Sequence, residues 1–340
     1  MFRSLFSKNR TLFARGDKMQ PDLLKKLQAI TPEEQAILDG NHDIQPNLYT
    51  AVPRTSGLTI DSERLLQKGC LIDVRPHTRF VHFPKHRHNY VEVVYMCSGS
   101  TTHIINDTER IVLQQGDLLF LNQNVLQEIL PAGKDDIAVN FIILPEFFNK
   151  TLSMIEQENV LRDFLISTLS SNSAYYLHIS AKDILPVQNL LDNMIWTLFQ
   201  KKAKTNVINQ TTMGLVFMNL SEFADTINKS QPDQYEQNMV FTILKYIETN
   251  YRDGTLLEIS QQLQRPPYYI SRLLKKHTNK NFKELLQERK LQQASYLLLQ
   301  TPLTIENILD VIGYDNSSYF YHRFKEKYGC SPKKYRSKAT

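Results

Sequence analysis

The chain reads as a multidomain α+β protein. We expect an N-terminal arm, a small antiparallel β-barrel, a helical segment and an all-α C-terminal domain holding two helix-turn-helix units in tandem. Three features carry this expectation. Short β-rich runs broken by turn residues fill residues 65–145, helical periodicity returns over 146–228, and residues 241–340 twice repeat a short helix, a turn and a basic helix. The 340 residues are enough for two or three domains, each with its own core.

From the N-terminus, residues 1–18 carry Arg3, Lys8, Arg10, Arg15 and Lys18 without a continuous apolar core, which argues against a secretory signal. No run approaches bilayer-spanning length. Residues 1–64 are expected to be a tail and helical arm. In it Leu23, Leu24, Leu27 and Ile30 recur at helical spacing, and Thr31 to Glu34 form a helix start with Pro32 in the first turn. Over 65–145, the runs at Val91–Met96, Thr101–Ile105, Arg110–Leu113, Asp117–Leu121 and Ile137–Leu144 suggest a barrel or sandwich. Ser98, Gly99 and Ser100, and then Asn106 and Asp107, supply turns between them.

Over 146–228, Leu190, Leu191, Met194, Ile195 and Leu198, then Leu215, Met218 and Phe223, recur at helical spacing. This apolar content serves either a dimer interface or packing on the barrel. Residues 229–238 are polar, contain Pro232 and read as a linker to the C-terminal domain at 239–340.

Charge is unevenly divided. Residues 241–340 carry 17 Lys and Arg against 9 Asp and Glu, leaving 23 against 26 for the rest of the chain. A basic domain on a mildly acidic body is the footprint of a binder of phosphate backbones. Cys70, Cys97 and Cys330 are too few and too far apart for a disulfide framework or a zinc knuckle. A cytoplasmic protein without a membrane partner is the expectation.

In the first helix-turn-helix unit, Leu257, Ile259 and Leu263 mark a short helix, and a second begins near Pro267. On that second helix Ile270, Leu273 and Leu274 share the inward face, whereas Tyr268, Ser271, Arg272 and Lys275 share the other. Long polar side chains on such a face can reach base edges in the major groove, Arg in bidentate fashion to guanine. In the second unit, Phe320 and Phe324 form the inward pair, and Ser317, Ser318, Tyr321, His322 and Lys325 point outward. Gly313 stands where the turn between crossed helices needs positive φ. Phe282 to Leu298 reads as one long helix separating the units, as docking in successive major grooves roughly 34 Å apart requires.

Residues 237–338 resemble the DNA-binding domain of the AraC/XylS family of bacterial transcription regulators. The resemblance rests on Ile270, Ser271 and Arg272, on Gly313 and Tyr314, on Ser318 to Phe320, on Phe324 and Lys325, and on Ser331, Pro332, Tyr335 and Arg336, among others. It implies base contacts from Tyr268, Ser271 and Arg272, and from Ser317, Ser318, Tyr321 and His322. Asn279 replaces a usual Gly, Leu309 a usual Ala, and His322 stands where Arg is frequent. The resemblance further implies a homodimer acting on double-stranded DNA together with RNA polymerase.

In the β-rich region, His86, His88 and Glu92 sit at even spacing, which on one strand would place all three on one face. With Gly99 they resemble the first cupin motif, and Gly116 opens a run resembling the second. The position of that motif's fourth ligand, usually His, falls on Gln127. Gln is a weak transition-metal ligand beside imidazole, so a pocket for a small molecule without a metal or other cofactor is expected from these four residues. Polar groups in a barrel mouth suit a hydroxyl-rich effector such as a sugar. Two rivals remain open: a metal-dependent cupin enzyme fused to a DNA-binding domain, and a regulator with no small-molecule effector.

Overall fold

The computed structural model describes residues 19–40, 44, 49, 58–67, 69–155, 159–168, 174–200, 206–223 and 234–337. The expectations for residues 1–18 and 229–233 lie outside this range, as does the side chain of Phe223.

The arm forms α1 (Pro21–Gln28) and α2 (Pro32–Leu38). Each has proline in its first turn, and Thr31 and Glu34 exchange reciprocal capping bonds. Leu23 and Leu27 of α1 are buried in the main core. The arm is not wholly helical, because β1 (Leu58–Ile60) pairs in parallel with a barrel strand before the short α3 (Ser62–Leu65).

The strands β2 (Ile72–Pro76), β3 (Phe83–His88), β4 (Val91–Ser98), β5 (Ser100–Ile105), β6 (Glu109–Gln114), β7 (Asp117–Leu121), β8 (Gln127–Ile129) and β9 (Ile137–Ile143) follow. A 3-10 turn (Pro145–Phe148), α4 (Asn149–Met154) and α5 (Val160–Ser167) lead to β10 (Tyr176–Ser180), then α6 (Leu185–Phe199) and α7 (Asn206–Phe223). The strands form two five-stranded sheets, in the orders β1-β3-β8-β5-β6 and β10-β7-β4-β9-β2. β10 corrects the reading of 146–228 as purely helical. It extends the second sheet by pairing antiparallel with β7, Leu177 opposite Phe120.

The second sheet is covered on both faces, which explains its continuous apolar runs. On β4, Val91, Val93, Tyr95 and Cys97 pack outward into the cluster that includes the helices, whereas Val94 and Met96 face a separate cluster inside the barrel. The same alternation places Leu118 and Phe120 of β7 outward, and Leu119 and Leu121 inward.

The C-terminal domain consists of α8 (Gln234–Thr249), α9 (Leu256–Gln262), α10 (Pro267–Thr278), α11 (Phe282–Gln300), α12 (Ile305–Ile312), α13 (Ser317–Tyr328) and α14 (Pro332–Ser337). Residues 234–238, read as linker, are the first turn of α8. The two helix-turn-helix units differ in their cores. Ile259, Ile270, Leu273 and Leu274 of the first belong to the same buried cluster as α5, α7 and the outer face of the second sheet. Leu298, Ile308, Ile312, Phe320 and Phe324 of the second form a cluster of their own.

Candidate functional site

Local signals set each recognition-type helix. α9 starts on a reciprocal cap between Thr255 and Glu258, and α10 carries Pro267 at its first position. α10 ends on Asn279 at φ +57°, a left-handed conformation that Asn tolerates better than most side chains, so the departure from Gly keeps the cap geometry. α12 ends on Gly313 at φ +69°, where an added Cβ would lie 2.7 Å from the carbonyl oxygen of Arg252. Lys290 of α11 donates to the Gly313 carbonyl at 2.5 Å and so ties the connecting helix to the second turn.

On α10, Ile270, Leu273 and Leu274 are buried, Tyr268 is 72% exposed, Arg272 and Lys275 are exposed and Ser271 is half-buried. On α13, Phe320 and Phe324 are buried, whereas Ser317, Ser318, Tyr321, His322 and Lys325 are exposed. The inward and outward faces of both helices are therefore those expected from spacing. Arg272, Lys275 and Lys325 pair with no carboxylate among the described residues. Their charge is directed outward.

In the barrel, His86 and His88 lie on β3, but Glu92 lies on β4. The premise that one strand carries all three is wrong, since the chain turns at Asn89 and Tyr90. The side chains still converge: His88 Nε2 is 3.7 Å from a Glu92 carboxylate oxygen, and the His86 and His88 rings are 4.9 Å apart. All three residues are buried. Gln127 is buried on β8, opposite His86, and its amide nitrogen donates to His103 Nδ1 at 2.9 Å. His103 therefore points inward, and its other ring nitrogen is 3.0 Å from the Thr101 hydroxyl.

Two further groups complete the network. His77 Nδ1 donates to the Asn140 side-chain oxygen at 2.9 Å, and the Asn140 amide donates to Glu92 at 2.9 Å. Spacing in the sequence could not have exposed them, because His77 precedes β3 and Asn140 comes from β9.

His77, His86, His88, Glu92 and Asn140 line a cavity of about 50 Å³ with Tyr49, Arg75 and Phe83; Gln127, expected as a ligand contact, is not among the lining residues, because its amide is turned to His103. Tyr49 is held over it by a bond of 2.6 Å to Glu33 of α2. Glu92 Oε2, His77 Nε2 and His88 Nδ1 are buried without a hydrogen-bond partner among the described residues. Buried polar atoms of this kind favour a ligand that supplies hydrogen bonds. No group of three His, Cys, Asp or Glu side chains among the described residues has metal-holding geometry.

Burial dominates the electrostatics. It lowers the pKa of His86 to about 4, drives those of His88 and His103 well down, and raises that of Glu92 to about 7 against the opposing bond from Asn140. The histidine contribution to stability is present above the free imidazole value of 6.5 and is lost as pH falls toward about 4. The Glu92 contribution is present below 4.5 and is lost as pH rises through about 7. The two windows overlap with opposite signs, so urea melts should show stability falling toward acid pH through the histidines, partly offset by Glu92. Glu92→Gln should remove that offset and steepen the acid decline, and an unchanged profile in that variant would discard the assignment.

Between the two regions, β9 carries Asn140 and runs directly into the 3-10 turn and α4. There Asn149 donates to Gln292 of α11 at 2.5 Å, and Glu146 lies 3.9 Å from Lys327 of α13. Arg162 of α5 stacks over Phe241 of α8 at 4.3 Å.

Residues 259–338 match the family model for a helix-turn-helix domain, and residues 70–154 match that for the AraC-like ligand binding domain. The chain belongs to the AraC family of transcriptional regulators. It is a DNA-binding regulator with a ligand-binding domain. The HTH-type transcriptional activator RhaR of Mannheimia succiniciproducens is 24% identical over 260 residues, 75% of this regulator and 88% of that protein. The transcriptional activator PerA of Escherichia coli O127:H6 is 24% identical over 253 residues, 73% and 86% of the two chains. Among solved structures, the C-terminal domain of AraT, a response regulator from Geobacillus stearothermophilus, is 34% identical, covering 29% of this regulator and 84% of that chain at a TM-score of 0.28. An apo form of ToxT from Vibrio cholerae is 14% identical, covering 81% and 100% at a TM-score of 0.35. Among the described residues of this AraC-family chain, no helix is long and apolar enough to cross a membrane.

Proposed function

We propose that this regulator reads operator DNA through α10 and α13 and is controlled by a small hydroxyl-bearing effector, such as a sugar, in the barrel. The observation that carries the proposal is the pairing, on one chain, of two exposed basic and hydroxyl-bearing helix faces with a buried pocket of unpartnered polar atoms. Tyr268, Ser271, Arg272 and Lys275 supply the first face, and Ser317, Ser318, Tyr321, His322 and Lys325 the second. A cavity of about 50 Å³ has room for a few waters and is small beside ordinary ligand pockets. A monosaccharide therefore requires the pocket to widen, and Tyr49 on the arm is the group positioned to move. Such widening displaces Asn140, and β9 carries the displacement to the 3-10 turn and α4, where Glu146 and Asn149 meet α13 and α11. An effector that prefers one arrangement shifts the population toward it, altering how the protein acts with RNA polymerase at a promoter.

The test is a genome-wide footprint of the protein with and without carbohydrate, followed by binding measurements on the recovered operator. Arg272→Ala should cost about 1–3 kcal/mol of discrimination at one base pair. Equal losses on operator and random DNA would make Arg272 a phosphate contact, and sites insensitive to carbohydrate would remove the sugar.

The same reading includes a homodimer. Trp196 and Phe199 of α6, and Ile208, Leu215 and Met218 of α7, are large apolar side chains left exposed at 37–58% on two helices packed together. A patch of this kind supports pairing with a second copy. Ile208→Asp should convert a dimer to a monomer of 39.6 kDa in sedimentation; an unchanged mass would place the interface elsewhere.

A further inference from the structure

On α10, the ring of Tyr269 lies 5.8 Å from the guanidinium carbon of Arg272 and 5.8 Å from that of Arg265, the latter in the turn before the helix. Tyr269 is half-buried and packs against the main core, so its ring is anchored from below, whereas both arginines are exposed. Arg272 forms no ion pair with a carboxylate among the described residues. An aromatic face within about 6 Å attracts a guanidinium and restricts its rotamers without occupying its hydrogen-bond donors.

We infer that Tyr269 is a positioning residue for DNA recognition. It holds Arg272 for base readout and Arg265 for a phosphate, and this rests on the reading that α10 faces DNA. Arg272 follows Tyr269 by three residues and rises on the same side of the helix. Arg265, at the entrance to the helix, meets the backbone flanking the base that Arg272 reads. The stacked guanidinium presents its planar fork before DNA arrives, so less side-chain freedom is lost in forming a bidentate contact.

The experiment uses the full chain, the operator recovered by footprinting and single-base-pair variants of it. Tyr269→Leu, and Tyr269→Met as a second ringless variant, should lower discrimination at the Arg272 base pair by about two- to five-fold, whereas Tyr269→Phe retains it. Arg272→Ala with Tyr269→Leu should discriminate no worse than Arg272→Ala alone. Arg265→Gln should reduce the dependence of log affinity on log salt by about one and leave discrimination unchanged. Additive losses in the double variant, or equal losses for Phe and Leu at position 269, would overturn the positioning role while leaving base reading by Arg272 intact. If Arg272→Ala leaves discrimination unchanged at every base pair, base reading by α10 fails and the positioning role falls with it.

Discussion

Arg79→Ala is expected to destabilise the ligand-binding domain by about 3–5 kcal/mol, measured by denaturant unfolding at neutral pH. Arg79 and Glu34 are both buried, and the guanidinium grips the carboxylate with bonds of 2.7 and 2.9 Å. Arg79 also donates to the carbonyls of Lys134, Gln28 and Ala29, and its own backbone N–H donates to Glu34. These bonds join α2, the end of α1 and the loop before β9. Removing the guanidinium leaves a buried carboxylate with only backbone donors, which is the costly arrangement. Replacing both partners, Glu34→Met with Arg79→Leu, should be far milder, because no buried charge is left unpaired. A double variant as weak as Arg79→Ala would refute this account. The pair also sets an acid limit. Burial alone would raise the Glu34 pKa, but Arg79 and the backbone donors outweigh it and hold the group below 4.5. Its contribution is therefore present above 4.5 and is lost as pH falls through the lower folded value.

Phe320→Ala should cost about 3–5 kcal/mol, confined to the second helix-turn-helix unit. The Phe320 ring is fully buried and meets Tyr314 at 5.3 Å and Phe324 at 5.4 Å. Truncation opens a cavity in the middle of a small core that shares no cluster with the first unit. Hydrogen exchange should show protection lost in α12 and α13 but retained in α9 and α10, and the DNA footprint should shrink to one major groove. Equal loss of protection in both units would mean that they unfold together. Ile270→Ala tests the converse: its cluster continues into the barrel helices, so its effect should spread into the ligand-binding domain.

Signals that act over three or four residues are legible in the amino-acid sequence alone. Thr31 with Glu34, Pro267 at a first helical position and Gly313 in a left-handed turn each report a local backbone requirement. The periods of α10 and α13 separate Ile270 and Phe320 from Arg272 and Lys325 for the same reason. A helix repeats its faces from its own sequence.

The pocket is only half legible. His86, His88, Glu92 and Gln127 carry a motif, but the one-strand reasoning fails at the turn after His88. His77, His103 and Asn140 join them from other parts of the barrel, and β10 finds β7 across more than fifty residues. The amino-acid sequence by itself determined the helix starts at Thr31 and Pro267, the left-handed turn at Gly313 and the outward faces of α10 and α13. Tertiary structure decided which strands are neighbours, which polar atoms meet in the cavity and where α4 touches the DNA-binding domain. Helix faces follow from bonds between near neighbours, whereas a sheet joins strands through pairings that no local pattern encodes.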